Sequence, residues 1–458
     1  MIITASLSML LLNGDILKAK APSLEDLQQA YAMNHFEPES HMALAKFHHD
    51  GGNRLLAYYI LESARRNRFE EKVFDAAYAR AFYNIKPFDN SKEAEDKLLA
   101  RHQQEPKDAD TLFGLSDIYV SRGDWKNAKS FLNQLIVVKP EEYKNYEALA
   151  EVYRREKDDT SANEIVEGFF RKHPDSVESF AGKIGPLMRK EPDKARSLLE
   201  EALKKHPKHA MFLFNQAVLL QDANKLNEAE ETFVKAAESG KNDAHIQGWV
   251  GRFFLRVRQN EEKSLHYYLN AYFLDPHFYD TEYAEARILK LNASVAAHIV
   301  EKAEKDGKKI EDLLKNENPA VTSYALVKLA APWDVKKCPY FLEAMGHDDP
   351  TIRMQAMGIL MKNADDSLGT EIQAMMGGND LRKRGLACYL AVHVWKTKGV
   401  ESVRAMLAEK AQLVRFDAIS ALWFGGGEEG KRIVRDHLKN EKHPWLINMM
   451  KALDKKLE

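Results

Sequence analysis

Cysteine is almost missing from this chain: Cys338 and Cys388 are the only two among 458 residues. Two thiols cannot supply a disulfide framework or a four-thiolate zinc site, so both are expected as buried, inert thiols. Charge of either sign is also not in excess. With 67 Lys and Arg against 69 Asp and Glu, the net charge is −2, which gives no global pull toward nucleic acid or an anionic membrane. No apolar run reaches the roughly 18 residues that span a bilayer. There is no Gly-x-Gly-x-x-Gly, no phosphate loop and no Gly-x-Ser-x-Gly, so nucleotide-binding and serine-hydrolase chemistry have no motif to stand on. What is present, 45% apolar and 30% charged residues, is the composition of a folded chain and too apolar for a disordered one. Its length exceeds one ordinary core and implies several domains or a solenoid.

The first residues admit two readings. Ile2 to Leu12 is apolar and Ala19-Lys20-Ala21 has the small-x-small form of a cleavage site, as in an exported protein. No basic residue precedes that run, Asp15 and Lys18 interrupt it, and Pro22 follows the cut, which favours a capping helix in a cytoplasmic protein. Residues 24–36 have helical spacing and form a lead-in helix, so 1–37 is set apart as an N-terminal segment.

The dominant signal is a repeat. Leu112, Leu115, Ser116, Tyr119, Ala128, Leu132, Leu135 and Pro140 recur 34 residues later as Tyr146, Leu149, Ala150, Tyr153, Ala162, Val166, Phe169 and Pro174. A fixed period of this size marks stacked helical hairpins, with small residues at close crossings and large ones between neighbours. His173-Pro174 and His206-Pro207 occupy one slot of the repeat and punctuate a helix end. Weaker copies bring the count to seven over 38–277. Leu44, Ala45, Ala57 and Leu61 open the series, and Gly251, Ser264, Tyr268 and Ala271 close it. In the fifth copy Pro186 stands where others carry Tyr and is expected to end or kink its helix.

These spacings resemble the tetratricopeptide repeat family. The resemblance implies an α-solenoid whose first helices line a concave groove at repeat positions 2, 5, 9 and 12. In the third and fourth copies those slots are Asp110, Phe113, Asp117, Val120 and Lys144, Glu147, Glu151, Arg154, a mostly charged wall. In the next three they become Phe180, Ile184, Leu187, then Met211, Phe214, Val218, then Trp249, Phe253, Arg256. Phe180, Ile184, Met211, Phe214, Val218, Trp249, Phe253 and Arg256 are therefore the candidate partner-binding residues, an apolar, aromatic and Arg-bearing stretch of the kind that makes protein hot spots. The competing reading is that the same residues pack as core. Asn215 stands without the basic cluster of a carboxylate clamp, so a chaperone-type clamp is not expected.

Residues 278–311 read as a transition, with helices over Tyr279 to Leu291 and Val295 to Ala303 and a polar hinge at Glu304 to Lys309. A second repeat fills 312–458. Asn318-Pro319-Ala320-Val321, Asp349-Pro350-Thr351-Ile352-Arg353, Asn379-Asp380-Leu381-Arg382, Leu413-Val414-Arg415 and His443-Pro444-Trp445-Leu446 each open a helix with a side-chain cap or a first-turn proline. This spacing resembles the HEAT-like repeats of bilin lyases, with Asp349 to Arg353 nearest to that family's opening.

Other clusters carry little chemistry. His48-His49-Asp50 point to different helix faces and lack a convergent ligand set. Gly425-Gly426-Gly427 precedes two glutamates that would repel a phosphate. Arg382-Lys383-Arg384 and Arg65-Arg66-Arg68 are expected on solvated faces, and the methionines of 345–376 as adaptable core. The expected fold is all-α, tetratricopeptide-like hairpins followed by HEAT-like hairpins. The expected function is a non-catalytic scaffold or adaptor that binds proteins or peptides, with no nucleic acid, cofactor, metal or catalytic set. The alternatives are an accessory subunit or chaperone of an enzyme or chromophore-protein assembly, and an envelope or secretion assembly factor if the chain is exported.

Overall fold

The computed structural model describes residues 22–67, 69–83, 89–276, 288–363 and 365–455, and every regular element among them is helical. The leader reading of residues 1–21 lies outside them. The chain is an all-α solenoid of tandem hairpins, and its contacts divide it into two compact units that do not follow chain order. One joins residues 1–86 to 287–458; the other is 87–286. The sequence boundaries at 37/38, 277/278 and 311/312 follow repeat type and run across this division.

The first unit opens with α1 (Leu24–Met33), α2 (Pro38–Asp50), α3 (Arg54–Asn67) and α4 (Glu71–Tyr83). Ser23 and Asp26 form a reciprocal capping box at the start of α1, which places the lead-in helix where periodicity expected it.

The second unit holds α5 (Lys92–Gln104), then five hairpins: α6 (Ala109–Ser121) with α7 (Trp125–Val138), α8 (Tyr143–Arg155) with α9 (Asp159–Lys172), α10 (Val177–Lys190) with α11 (Pro192–Lys205), α12 (Ala210–Asp222) with α13 (Leu226–Ser239), and α14 (Ala244–Arg256) with α15 (Glu261–Leu274). Ala128, Ala162, Ala195 and Ala229 are each wholly buried on the second helices, as close crossing demands. His173 and His206 are the C-caps of α9 and α11, the shared slot read from sequence. Pro186 does not end its helix: α10 runs through it to Lys190. The physical reason is the residue before it. A proline ring clashes with the preceding Cβ in helical geometry, and Gly185 has none.

The first unit resumes with α16 (Ile288–Lys305), α17 (Pro319–Leu329), α18 (Cys338–Ala344), α19 (Pro350–Asn363), α20 (Gly369–Gly377), α21 (Leu381–Trp395), α22 (Thr397–Arg404), α23 (Gln412–Gly425), α24 (Gly427–His437) and α25 (Pro444–Lys455). Most of the first expected transition helix, residues 279–287, lies outside the described residues; from Ile288 the chain is helical without a break to Lys305. Asn292, at the expected break, is buried and trades side-chain hydrogen bonds with Asn318, at 2.9 and 2.7 Å, while its amide also reaches the Tyr59 hydroxyl. A satisfied buried amide removes the reason to unwind.

Cys338 and Cys388 are both buried, and burial pushes both thiols up, as expected of structural cysteines. Met345, Met357 and Met376 join the same core, whereas Met354 is exposed. Gly358, on the exposed side of α19, has no heavy atom within 4 Å of where a Cβ would stand. Gly358→Ala is therefore expected to stabilise the protein by about 0.5–1 kcal/mol through helix propensity and a less flexible unfolded chain. A melting temperature equal to or below wild type would contradict it.

Candidate functional site

Helix starts fix the register of the second unit. Asp108, Ser176 and Asp243 each cap a first helix by accepting a hydrogen bond from a backbone N–H three residues on, of Thr111, Ser179 and Ile246. Measured from those starts, Phe180 is the fourth residue of α10, equivalent to the buried Leu112 and Tyr146. Ile184 is the eighth, equivalent to Ser116 and Ala150, and Phe253 is the tenth residue of α14, equivalent to Ile118 and Val152. All three are buried, so they cannot line an accessible groove. The expected register was one residue out in the fifth and seventh copies. The correction is large because one residue turns a helical side chain by about 100°.

Phe214 keeps its groove slot yet is also buried, because the rings of Trp249 and His245 lie over it with centroids 6.3 and 6.2 Å away and Phe233 packs at 5.7 Å. Met211 and Val218 stay half-buried at the edge of this cluster, and Arg256 is exposed at the end of α14. Trp249 is 36% exposed, the accessible member of the aromatic set. The structure thus brings Met211, Phe214, Val218 and Trp249 together on adjacent first helices and gives Phe180 and Ile184 to a different core cluster.

Sequence reasoning missed Arg252. One turn beyond Trp249, its guanidinium lies over the indole, 5.0 Å from the ring centroid. His245, Trp249, Arg252 and Arg256 succeed one another at steps of four, three and four, a single stripe of α14. The cap at Asp243 was the signal that would have placed it. At the other end of the unit, Phe113 is 43% exposed and Asp117, one turn on, is half-buried; burial raises its carboxyl. Glu151 of the charged wall is held by Arg154 and Arg155, which lower its carboxyl.

A second constellation lies inside the first unit, where α1 and α2 meet the hairpins of 319–455. Asp348 is buried and accepts from Gln28 Nε2 at 2.8 Å and His48 Nε2 at 2.7 Å, and from the Arg382 guanidinium. Despite burial, these donors hold its carboxyl down at about 2. Arg353 donates to the Tyr31 hydroxyl at 3.0 Å and to the His347 and Asp348 carbonyls. Phe36 stacks on Trp445 with centroids 4.1 Å apart, and its N–H donates to Gln412. His48 is thus a junction residue, and Arg382 is 5% exposed rather than on a solvated face. The other expected basic face is described only at Arg65, which reaches Glu62.

The C-terminal repeat also has a stricter register than its openings suggested. Thr322, Arg353, Arg384 and Arg415 stand 31 residues apart, and each donates to the carbonyl six residues before it, of Asn316, His347, Gly378 and Glu409. Arg384, not Arg382, is the counterpart of Arg353. The repeated arginine ties the incoming loop to its helix, a local role that explains its spacing.

A tetratricopeptide repeat model matches residues 187–252, from the end of α10 to the middle of α14. No curated protein matches the chain. Among solved structures, the chain is similar to YrrB, a TPR protein with an unusual peptide-binding site, at 18% identity over 40% of this chain and 95% of that one, with a TM-score of 0.23. Naa15/Naa10 bound to HypK aligns at 14% identity over 99% of this chain and 78% of that one, TM-score 0.28. A human IFIT1 dimer with PPP-AAAA aligns at 13% identity over 93% and 96%, TM-score 0.27.

Proposed function

We propose that the protein is a non-catalytic interaction scaffold that binds a partner protein or peptide on the first-helix layer of the second unit. The observation that carries this reading is the stripe on α14, where a partly exposed Trp249 sits between His245 and Arg252 and over the Phe214 ring. Trp and Arg concentrate binding energy because each offers a large rigid contact with a polar handle. A stacked, half-exposed pair of this kind adds little to a core and much to an interface.

The 31-residue arginine register supports reading the C-terminal hairpins as HEAT-like, a second scaffold element of the same class. No helix among the described residues is long and apolar enough to cross a membrane. Separately, the lack of a basic residue before the apolar run Ile2 to Leu12 supports reading the protein as cytoplasmic; N-terminal sequencing that finds cleavage after Ala21 would move it to an exported compartment.

Trp249→Ala is the direct test. Affinity purification of the full chain from its own cell should recover its partners about ten-fold less well than wild type. The melting temperature should fall by a few degrees, since most of the indole is buried and it covers Phe214, so recovery is compared at a temperature where circular dichroism shows both proteins folded. Partners retained in full by a Trp249→Ala, Phe113→Ala double variant would sink the assignment of this layer.

A further inference from the structure

The charge of the stripe says what fits it. Along α12 and α14 the acidic side chains reduce to Asp222, at the last residue of α12, and neither helix carries a carboxylate in its first three turns; Arg252 and Arg256 both stand on α14. Some cations of this unit are taken up by neighbouring carboxylates: Lys129 by Glu156, Lys205 by Asp175, Arg258 and Lys263 by Glu230. Arg252 has no carboxylate partner among the described residues and is held instead by the Trp249 ring. A guanidinium laid on an indole keeps its in-plane N–H donors turned outward, a fork preset for a carboxylate.

The neighbouring surface is suited to the rest of a peptide. The Asn215 amide makes no hydrogen bond among the described residues and offers a donor and an acceptor to a peptide group. Met211 and Val218, half-buried on either side of it, give apolar footing. On α10 the exposed Gly185, in the slot equivalent to Val218 and Arg252, has no heavy atom within 4 Å of where a Cβ would stand.

On the scaffold reading above, we infer that this stripe takes an acidic protein segment, seating a carboxylate on Arg252 and an apolar side chain against Trp249. The charge complementarity is local, and that favours a peptide over RNA. A nucleic-acid strand needs a track of cations matched to successive phosphates. The second helix of the same hairpin pair, α13, presents Glu228, Glu231 and Glu238 with a single Lys235, Glu230 being taken up by Arg258 and Lys263.

The test is an immobilised array of short peptides with a central Leu or Phe flanked by Glu, Gln or Lys, probed with the full chain. Wild type should retain the Glu series about ten-fold better than the Lys series, and Arg252→Glu should reverse that order. Trp249→Ala should weaken every series. A preference for Lys, or a Glu preference unchanged in Arg252→Glu, overturns the inference. Peptide binding lost in Trp249→Ala but indifferent to charge leaves the scaffold reading standing and removes only the acidic partner. A blank array removes the inference, while the partner-recovery assay with Trp249→Ala judges the scaffold reading separately. An oligouridine bound in an Arg252-dependent way, with no peptide bound, transfers the stripe to RNA.

Discussion

Asp348→Ala is expected to destabilise the first unit by about 3–5 kcal/mol, the cost of leaving buried charge without its partner. Asp348 is 7% exposed and collects donors from three separate places: Gln28 on α1, His48 on α2 and Arg382 on α21. Removing it strands Arg382, itself 5% exposed, with Asp380 as its remaining carboxylate. The loss should appear first where the chain is joined across the greatest sequence distance. Amide exchange over Leu24–Asp50 should speed up by two orders of magnitude or more, about the factor that 3 kcal/mol implies. Exchange in α6–α9 should not change. Asp348→Asn keeps an acceptor of the same shape and should recover part of the protection. Equal protection of α1 and α2 in wild type and Asp348→Ala would show that apolar packing alone, Phe36 on Trp445 and Tyr31 in its pocket, holds this junction.

The same junction should make the protein acid-sensitive. Burial, the largest cause, depresses the His347 imidazole from 6.5 to about 4, with Arg353, Arg382 and His48 adding to the effect and Asp348 opposing it. The Nδ1 of His347 also accepts the Asp349 N–H at 2.9 Å, a bond that a proton on that nitrogen would break. A base with a depressed folded pKa binds its proton more readily when unfolded. Its contribution is whole above about pH 6.5 and is lost as pH falls toward 4, at most about 3 kcal/mol by the usual 1.36 kcal/mol per unit. Asp348, held at about 2, adds a further loss as pH falls through the range below 3.8. Urea midpoints should therefore drop between about pH 6.5 and 4, and His347→Gln, which does not titrate, should flatten that drop. An identical pH slope in both proteins would remove His347 as the cause.

How much of this was legible beforehand depended on the distance between the residues involved. The hairpins of 109–172 announced themselves because their packing is set by residues three and four apart and repeated at 34. The groove was harder. Trp249, Met211 and Val218 emerged at the surface layer, but Phe180, Ile184 and Phe253 fell into the core because a copy of the repeat begins at its cap, not at a fixed count. That Pro186 would not end its helix was hidden for a related reason, since the effect of a proline depends on the residue before it. The junction at Asp348 left almost no trace: its partners lie 320, 300 and 34 residues away, and no local pattern pairs Gln28 or His48 with it.

By itself, then, the sequence determined the class of the protein: helices, their hairpins and their stacking are short-range consequences of apolar spacing, caps and prolines. Tertiary structure alone decided which side chains are left for a partner and which are spent inside. A one-residue change of register rotates a side chain from solvent into the core. A buried carboxylate is stable only where the fold delivers its donors from elsewhere in the chain. Trp249 and Arg252 lie on the outward side of that decision, and Asp348 on the inward one.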